Sequence, residues 1–266
     1  MSDQPTPNRN QRINISDSSI EGQLGQAGRD LRQFQFIFGR PKSNPQQERQ
    51  NRQVLLDKVR NFWVKGVLEE LSHGKLALEL SLEERLDALE QSWGMVYETP
   101  EQLRQALPLG TRVIDLFDQL GEGGTLLILG EPGSGKTRTL LELTREFINR
   151  AESSFEYPLP AVFNLSSWKG GNQTIANWLI QELQEKYQIS KALSKIWVKD
   201  ENLLLLLDGL NEVRPDRRDA CVLALNQFIH QYGKTETIVC SRARDYEALS
   251  KRLKFQGAIY IKPTAS

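Results

Sequence analysis

Residues 130–137 read GEPGSGKT, and the rest of the chain is best interpreted outward from this stretch. It fits the pattern G-x-x-x-x-G-K-[ST], with Gly130, Gly135, Lys136 and Thr137 at the fixed positions. The apolar run TLLIL precedes it and a helical pattern follows, which is the strand-loop-helix context that the pattern requires. The glycines allow backbone N–H groups to point inward at an anion, and the start of the helix adds positive potential. The stretch therefore predicts a cradle for phosphate groups.

The loop predicts a nucleoside triphosphate as ligand, with ATP and Mg²⁺ as the simplest pair. Lys136 would bring a positive charge to the β and γ phosphates, and the Thr137 hydroxyl could ligate Mg²⁺. A tight glycine turn with an exposed lysine is the structural alternative. The residues predicted to bind the nucleotide are Gly130, Glu131, Pro132, Gly133, Ser134, Gly135, Lys136, Thr137 and Arg138.

A second group of charged residues is predicted at the same edge of the sheet. The apolar run Leu203–Leu207 ends in Asp208, so a strand brings a carboxylate to the edge where ligands of open α/β sheets bind. Asp208 is the predicted metal ligand opposite Thr137. Glu212 follows four residues later and is the candidate for orienting and deprotonating the attacking water. A solvent-facing loop glutamate is the alternative interpretation of Glu212.

An arginine ends the next predicted strand. Ser241 and Arg242 directly follow the run Thr237–Cys240, so a guanidinium should lie at the same sheet edge. Arg242 could stabilise the charge of the γ phosphate, and we predict it as a catalytic residue together with Glu212. Arg244 is a rival for this function, and an ordinary arginine at a strand end is the plainer interpretation.

The second half of the chain predicts an α/β fold. Short apolar runs alternate with longer helical segments from about Leu107 onward. The runs do not alternate between apolar and polar residues, which is typical of strands buried on both faces of a parallel sheet covered by helices. The predicted strands are Thr125–Leu129, Ala161–Leu165, Leu203–Leu207, Thr237–Cys240 and Ala258–Ile261.

The N-terminal part predicts little packed structure before residue 49. Residues 1–12 are polar and indicate a disordered tail. The segment Ile13–Phe38 contains the alternating stretch QFQFIF, which could be a short β hairpin or assembly segment, or equally a loose peptide. Gly39–Arg52 is predicted to be a linker. Residues 1–48 are therefore predicted to form a disordered or short β segment with its linker.

Residues 49–107 are predicted to be a helical adaptor region, and residues 108–266 the nucleotide-binding core. An apolar stripe at helical spacing between Leu55 and Leu71 predicts an amphipathic helix. A second helix is predicted over Ser81–Gln91, because Ser81 and Glu84 have the spacing of a capping box.

Charge and composition name no macromolecular partner. The 34 basic and 34 acidic side chains give a net charge of zero, which argues against sequence-specific nucleic acid binding. No apolar run is long enough for a membrane span. The two cysteines, Cys221 and Cys240, favour buried apolar positions in a reducing cytoplasm over a disulfide. His73 and His230 are too far apart to indicate a metal cluster.

With these motifs placed, the chain resembles the NACHT family of STAND signalling NTPases, in particular the cyanobacterial type. The resemblance rests on the strings LLILGEPGSGKTRTLLEL, VFNLSSW, LLLLLDGLNEV and VCSRARDYEAL, in that order. It implies a three-layer P-loop NTPase fold whose five parallel strands have the order 5-1-4-3-2. It also assigns Lys136 and Thr137 to phosphate and Mg²⁺, Asp208 to Mg²⁺, Glu212 to the acidic position and Arg242 to the sensor arginine.

The chain departs from the family pattern at three points. Many members have two acidic residues where this chain has Asn211 and Glu212, and an amide cannot act as a base. Arg138 replaces a threonine that is frequent in similar sequences. The sequence stops at Ser266, before the closing domains of such proteins, and we interpret it as truncated after the NTPase core or dependent on partners.

Three functions follow as hypotheses from these patterns. The first is the ATP-binding, slowly hydrolysing core of a signalling ATPase, with protein partners or self-association through the N-terminal region. The second is a nucleotide-dependent interaction module without significant turnover. The third is a P-loop phosphotransferase, for which no lid-like arginine cluster is visible. Trp93 and Trp168 could flank the adenine, or could be core or hinge residues.

Overall fold

A computed structural model describes residues 44–72, 81–85, 88–89, 104–108 and 110–262 of the chain. Contacts divide the chain into two compact units, residues 1–49 and residues 50–266. The predicted polar tail and the predicted β segment Ile13–Phe38 lie outside the described residues, and so do Trp93 and His73.

The strands form one sheet. Numbered along the chain, they are β1 (Ser81–Arg85), β2 (Arg104–Ala106), β3 (Thr125–Gly130), β4 (Leu159–Asn164), β5 (Leu203–Asp208), β6 (Thr237–Arg242) and β7 (Gly257–Lys262). Their order across the sheet is β2-β1-β7-β3-β6-β5-β4. The strands from β7 to β4 in that order are parallel, whereas β1 pairs antiparallel with both β2 and β7.

The helices connect and cover these strands. They are α1 (Pro45–Val59), which continues through a π-helical segment (Arg60–Leu68) into α2 (Glu69–Ser72), then α3 (Val113–Gln119), α4 (Lys136–Ser153), α5 (Ile175–Glu185), α6 (Lys191–Lys199), α7 (Arg218–Gln231) and α8 (Ala243–Glu247). Helix α4 packs on strands β3 to β6, and the π-helical segment packs on α4.

The strands β3 to β6 are buried along nearly their whole length. Every residue of β3 is buried, and so are the first five residues of β4, β5 and β6. Such strands need apolar side chains on both faces, because helices exclude water from each face of the sheet. The prediction of a parallel sheet from non-alternating apolar runs is therefore confirmed.

The prediction of a five-stranded sheet was incomplete. The described part of the sheet has seven strands, and the order 5-1-4-3-2 occurs only as the parallel block within it. The added strands β1 and β2 extend the β7 side, where Ser81 pairs with Lys262 and Glu84 with Ile259. Because β7 would otherwise be an edge strand, β1 satisfies its outward backbone groups.

The predicted helix over Ser81–Gln91 was wrong, because residues 81–85 form strand β1. Pairing with β7 overrides the local capping pattern, as tertiary contacts often do for short segments. Within β1, Leu82 and Arg85 are buried and the two glutamates between them are half-buried.

The predicted linker Gly39–Arg52 also ends earlier than expected. Helix α1 begins at Pro45, where the fixed φ of proline suits the first helical position. The side chain of Asn44 accepts a hydrogen bond from the backbone N–H of Gln46 at 3.0 Å and so caps this start.

The helical segment before the core packs closely on it through Tyr187. The Trp63 indole N–H donates to the Tyr187 hydroxyl at 2.9 Å, and that hydroxyl donates to the Val162 carbonyl at 2.6 Å. The Val162 N–H in turn donates to the same hydroxyl at 3.2 Å. Among the described strands β4 is the outermost one on its side of the sheet, so Tyr187 satisfies backbone groups of β4 that face away from β5.

Candidate functional site

The loop between β3 and α4 has the backbone that an anion cradle needs. Gly135 has φ of +92° and directly precedes α4, a conformation that side chains with a Cβ rarely adopt. A Cβ on Gly130 would lie 2.4 Å from the Ser134 hydroxyl oxygen and 2.9 Å from the Ile261 carbonyl oxygen. Both positions therefore require glycine, as the sequence pattern indicated.

The ammonium group of Lys136 lies inside this loop. It donates to the carbonyl oxygens of Gly130 at 3.0 Å and Glu131 at 2.8 Å, and it lies 3.5 Å from the Ser134 hydroxyl. Burial lowers the pKa of Lys136, and the nearby Asp208 carboxylate opposes this effect. A cation held among loop carbonyls is placed to bind phosphate oxygens that enter the same loop.

Thr137 and Asp208 meet although they are 71 residues apart. The Thr137 hydroxyl donates to the Asp208 carboxylate at 2.9 Å. Burial raises the pKa of Asp208, and the hydrogen bonds from Thr137 and from the Gly209 N–H counter this rise. One hydroxyl and one carboxylate fit Mg²⁺, which binds few protein oxygens and takes the rest from phosphates and water.

Glu212 lies in a 3-10 turn, Leu210–Glu212, just beyond β5. Its carboxylate accepts a hydrogen bond from the Asn164 side-chain amide at 2.8 Å. The turn begins at Gly209, where φ is +76° and a Cβ would lie 2.8 Å from the Glu212 carboxylate oxygen. Glu212 is exposed and its charge contributes to the raised pKa of Asp208, so the two carboxylates share one site.

Asn164 is a site residue that the sequence reasoning missed. It ends strand β4 and pairs in register with Asp208, the last residue of β5. Its side-chain oxygen accepts the Ser166 N–H at 2.8 Å, which leaves the amide nitrogen to hold Glu212. A polar residue at the end of an otherwise apolar strand was the available signal.

Arg242 ends β6 in register with Gly130, so the structure brings it to the phosphate loop. Its side chain is exposed, and within the described ranges its guanidinium has no hydrogen-bond or ion-pair partner. Arg244 also reaches the loop, with its Nε 3.8 Å from the Glu131 carboxylate. Both arginines therefore remain candidates for a contact with the γ phosphate.

Asn211, the departure from the acidic pair, is engaged in the structure. Its side-chain oxygen accepts the backbone N–H of Arg242 at 3.0 Å and so links the β5 loop to the end of β6. Arg218 reaches the same loop from α7, donating to the carbonyls of Asn211 and Val213. No pattern in the sequence pointed to Arg218.

The other residues singled out in the sequence are an ion-paired arginine and three buried side chains. Arg138, which was predicted to bind the nucleotide, pairs with Glu142 along α4 at 3.0 Å. Trp168 is 4 % exposed and its indole N–H donates to the Gln173 carbonyl at 3.2 Å, as a core residue would. Cys221 and Cys240 are both free and buried.

The fold and this loop define the class of protein. A glycine-rich loop lies between β3 and α4, and Asp208 at the end of β5, two strands away from β3 in the sheet, accepts a hydrogen bond from Thr137 of α4. On a parallel sheet this is the arrangement of a P-loop NTPase. The NACHT domain family matches residues 124–260, which is more than half of the chain. The chain belongs to this family and contains a nucleotide-binding NTPase module.

A search of curated proteins gave no significant match. Across the described ranges, none of the helices combines the length and apolar character needed to cross a bilayer. The same ranges contain no group of three or more histidine, cysteine or acidic residues that could hold a metal ion.

Proposed function

We propose that the chain is the ATP-binding core of a cytoplasmic STAND-type signalling ATPase that uses Mg²⁺ and hydrolyses ATP slowly. The contact between Thr137 and Asp208 carries this proposal, because it brings a hydroxyl and a carboxylate together beside the loop that encloses Lys136. We propose ATP rather than GTP as the nucleotide because of the resemblance to the NACHT family.

Each residue of the site has a separate function in this proposal. The loop N–H groups and Lys136 bind the β and γ phosphates, and Thr137 and Asp208 hold Mg²⁺. When bound, Mg²⁺ neutralises charge on the phosphate oxygens. Arg242 or Arg244 stabilises charge that develops on the γ-phosphoryl group.

Glu212 is the proposed base of the hydrolysis step. It accepts a proton from water as the water oxygen bonds to the γ phosphorus. The bond between the γ phosphorus and the oxygen that bridges to the β phosphate breaks, and this oxygen leaves as part of ADP. Asn164 holds the Glu212 carboxylate at 2.8 Å, and Asn211 is an amide bound to the Arg242 backbone. Only one carboxylate at the turn can therefore act as a base, which supports slow turnover.

The binding part of the proposal is tested by measuring ATP and GTP affinity with and without Mg²⁺. Lys136→Ala should weaken ATP binding about tenfold to a hundredfold, because it removes charge-assisted bonds to phosphate. Asp208→Asn should abolish the gain in affinity that Mg²⁺ provides. Arg145→Ala, an exposed position on α4, is the matched control and should bind like wild type. Equal affinity of folded wild type and Lys136→Ala would refute the proposal.

A nucleotide-dependent interaction module without turnover is the second candidate. It is favoured by the hydrogen bonds that occupy the side chains of both Asn211 and Glu212. Single-turnover hydrolysis distinguishes the two functions. Phosphate release that Glu212→Gln abolishes supports the ATPase, whereas ATP binding without phosphate release in either protein supports the module.

The N-terminal region is proposed to contact protein partners or other copies of the chain. The boundary that we predicted between an adaptor over 49–107 and a core over 108–266 belongs to this proposal. Sedimentation of the full chain beside a chain beginning at Gln50 tests self-association. Self-association is supported if the full chain sediments as a larger particle and the chain beginning at Gln50 does not. If both chains sediment as monomers, self-association is excluded as the function of the residues before Gln50.

A further inference from the structure

Arg218 is the first residue of α7 and reaches two loops of the candidate site. Its Nε donates to the Val213 carbonyl at 2.9 Å, and one terminal nitrogen donates to the Asn211 carbonyl. These carbonyls lie on either side of Glu212 in the chain. The backbone around the proposed base is thus held from both sides by one guanidinium.

The same guanidinium also binds the element that follows Arg242. Its other terminal nitrogen donates to the Asp245 carboxylate of α8 at 2.8 Å. The Arg218 side chain is 17 % exposed and that of Asp245 is 31 % exposed, so this ion pair is partly shielded from water. Helix α8 starts directly after β6, so a tie at Asp245 also restrains Arg242 and Arg244.

A second bond joins the two loops independently. The Asn211 side-chain oxygen accepts the Arg242 N–H at 3.0 Å, and the Glu212 N–H closes its own turn on the Gly209 carbonyl at 2.8 Å. Together, Arg218, Asp245 and Asn211 connect the turn that contains Glu212 with the strand end that contains Arg242. We call these three residues the loop clamp.

We propose that Arg218 is a positioning residue, and that the loop clamp makes the turn of Glu212 and the end of β6 move as one body. The inference rests on the proposed functions of Glu212 and Arg242. Its physical basis is the arginine fork, because one planar guanidinium satisfies three acceptors in fixed directions. A lysine has a single ammonium group and cannot reproduce these directions.

The clamp is tested with Arg218→Lys, which keeps the charge but loses the fork. Hydrogen exchange of the segments 209–213 and 241–244 reports the clamp without any need for turnover. We expect exchange in both segments to become about tenfold faster or more, because charge-assisted bonds are lost from each. The single-turnover rate should fall roughly tenfold to a hundredfold, while the dissociation constant for ATP-Mg²⁺ stays within about threefold.

Arg217→Lys is the matched control on the neighbouring residue. Arg217 donates to the Lys169 carbonyl and lies near Asp216, and it contacts neither clamped loop. It should leave both exchange rates and the single-turnover rate as in wild type. Unchanged exchange in Arg218→Lys, faster exchange in only one of its segments, or an equal effect of Arg217→Lys would each overturn the inference.

If Arg218→Lys does not fold, a second variant tests the loop clamp. Asp245→Asn keeps the bonds of Arg218 to the Glu212 turn and weakens only its tie to α8. Faster exchange confined to 241–244 supports the clamp, and unchanged exchange there overturns it. If wild type binds ATP without hydrolysing it, the proposed ATPase fails, and the exchange measurements still decide whether the clamp exists.

Discussion

At the scale of single residues, Tyr187 shows how one side chain can serve distant parts of the chain. It is 2 % exposed, and burial raises the pKa of its hydroxyl far above the ordinary range. The neutral hydroxyl contacts Trp63 from the N-terminal helical segment and both backbone groups of Val162 on β4. Its loss would leave several buried polar groups without a partner.

Tyr187→Phe should therefore destabilise the protein by about 1–3 kcal/mol, since orphaned buried donors and acceptors cost that much. Urea unfolding followed by tryptophan fluorescence measures the change. Tyr157→Phe is the control, because Tyr157 is 43 % exposed and its hydroxyl makes no hydrogen bond to other described residues. If the two variants were equally stable, the hydroxyl of Tyr187 would be contributing nothing.

At the scale of elements, two of the described helices are followed by a residue with positive φ that is not glycine. Gln188 follows α5 with φ of +50°, and the Ile189 N–H bonds back to the Leu183 carbonyl at 3.0 Å. Glu201 follows α6 with φ of +56°, in the same left-handed arrangement. Side chains with a Cβ are strained in this region of φ.

Gln188→Gly should stabilise the protein by about 1 kcal/mol, because glycine removes this strain and only a weak 3.4 Å contact with Lys58 is lost. Thermal unfolding measures the gain. Glu201→Gly is the matched comparison, since the Glu201 carboxylate accepts the Lys234 N–H at 2.7 Å. Loss of this hydrogen bond should cancel the relief of strain in Glu201→Gly. A larger rise in melting temperature for Glu201→Gly than for Gln188→Gly would show that strain and this bond do not decide the stability of the two helix ends.

At the scale of the whole molecule, stability should depend on pH through Glu236. Its carboxyl lines a cavity of about 140 Å³ at the end of the sheet opposite the phosphate loop, with Phe117, Phe147 and Leu204. Burial raises the pKa of Glu236 from its ordinary value of 4.5 to about 7, against the opposing charge of Arg150. Protonation therefore favours the folded state.

The stabilising contribution of protonated Glu236 is complete below about pH 4.5 and is lost as the pH rises through 7. Glu236→Gln resembles the neutral form, so we expect it to melt above wild type at pH 8 and to approach wild type near pH 5. Melting temperatures across this range test the expectation. Glu156→Gln, at an exposed position, should show no such convergence.

The helical segment before the core should be required for the stability of the whole chain. Its buried residues Leu55, Leu56, Val59, Val64 and Leu68 belong to the same hydrophobic core as the sheet. A chain beginning at Asn44, which keeps the cap of α1, should melt like the full chain. One beginning at Pro108 should lose about 10 °C or more because this apolar surface becomes exposed. Equal melting of the two shortened chains would instead support an independent adaptor over 49–107.

Local patterns in the sequence predicted the phosphate loop, the buried parallel strands and the residues at their ends. Gly130, Lys136 and Thr137 are neighbours in the chain, so their chemistry can be recognised without knowledge of the fold. The predicted strand positions were correct to within one or two residues, because burial on both faces of a strand demands a continuous apolar run.

Only the tertiary structure decided which distant residues meet. The structure joins Asn164 to Glu212 across 48 positions, Arg218 to Asp245 across 27, and β1 to β7 across more than 170. The local pattern at Ser81 even favoured a helix, and pairing with β7 overrode it. Contacts of this kind depend on the order of strands across the sheet, because that order determines which loop ends come within hydrogen-bonding distance.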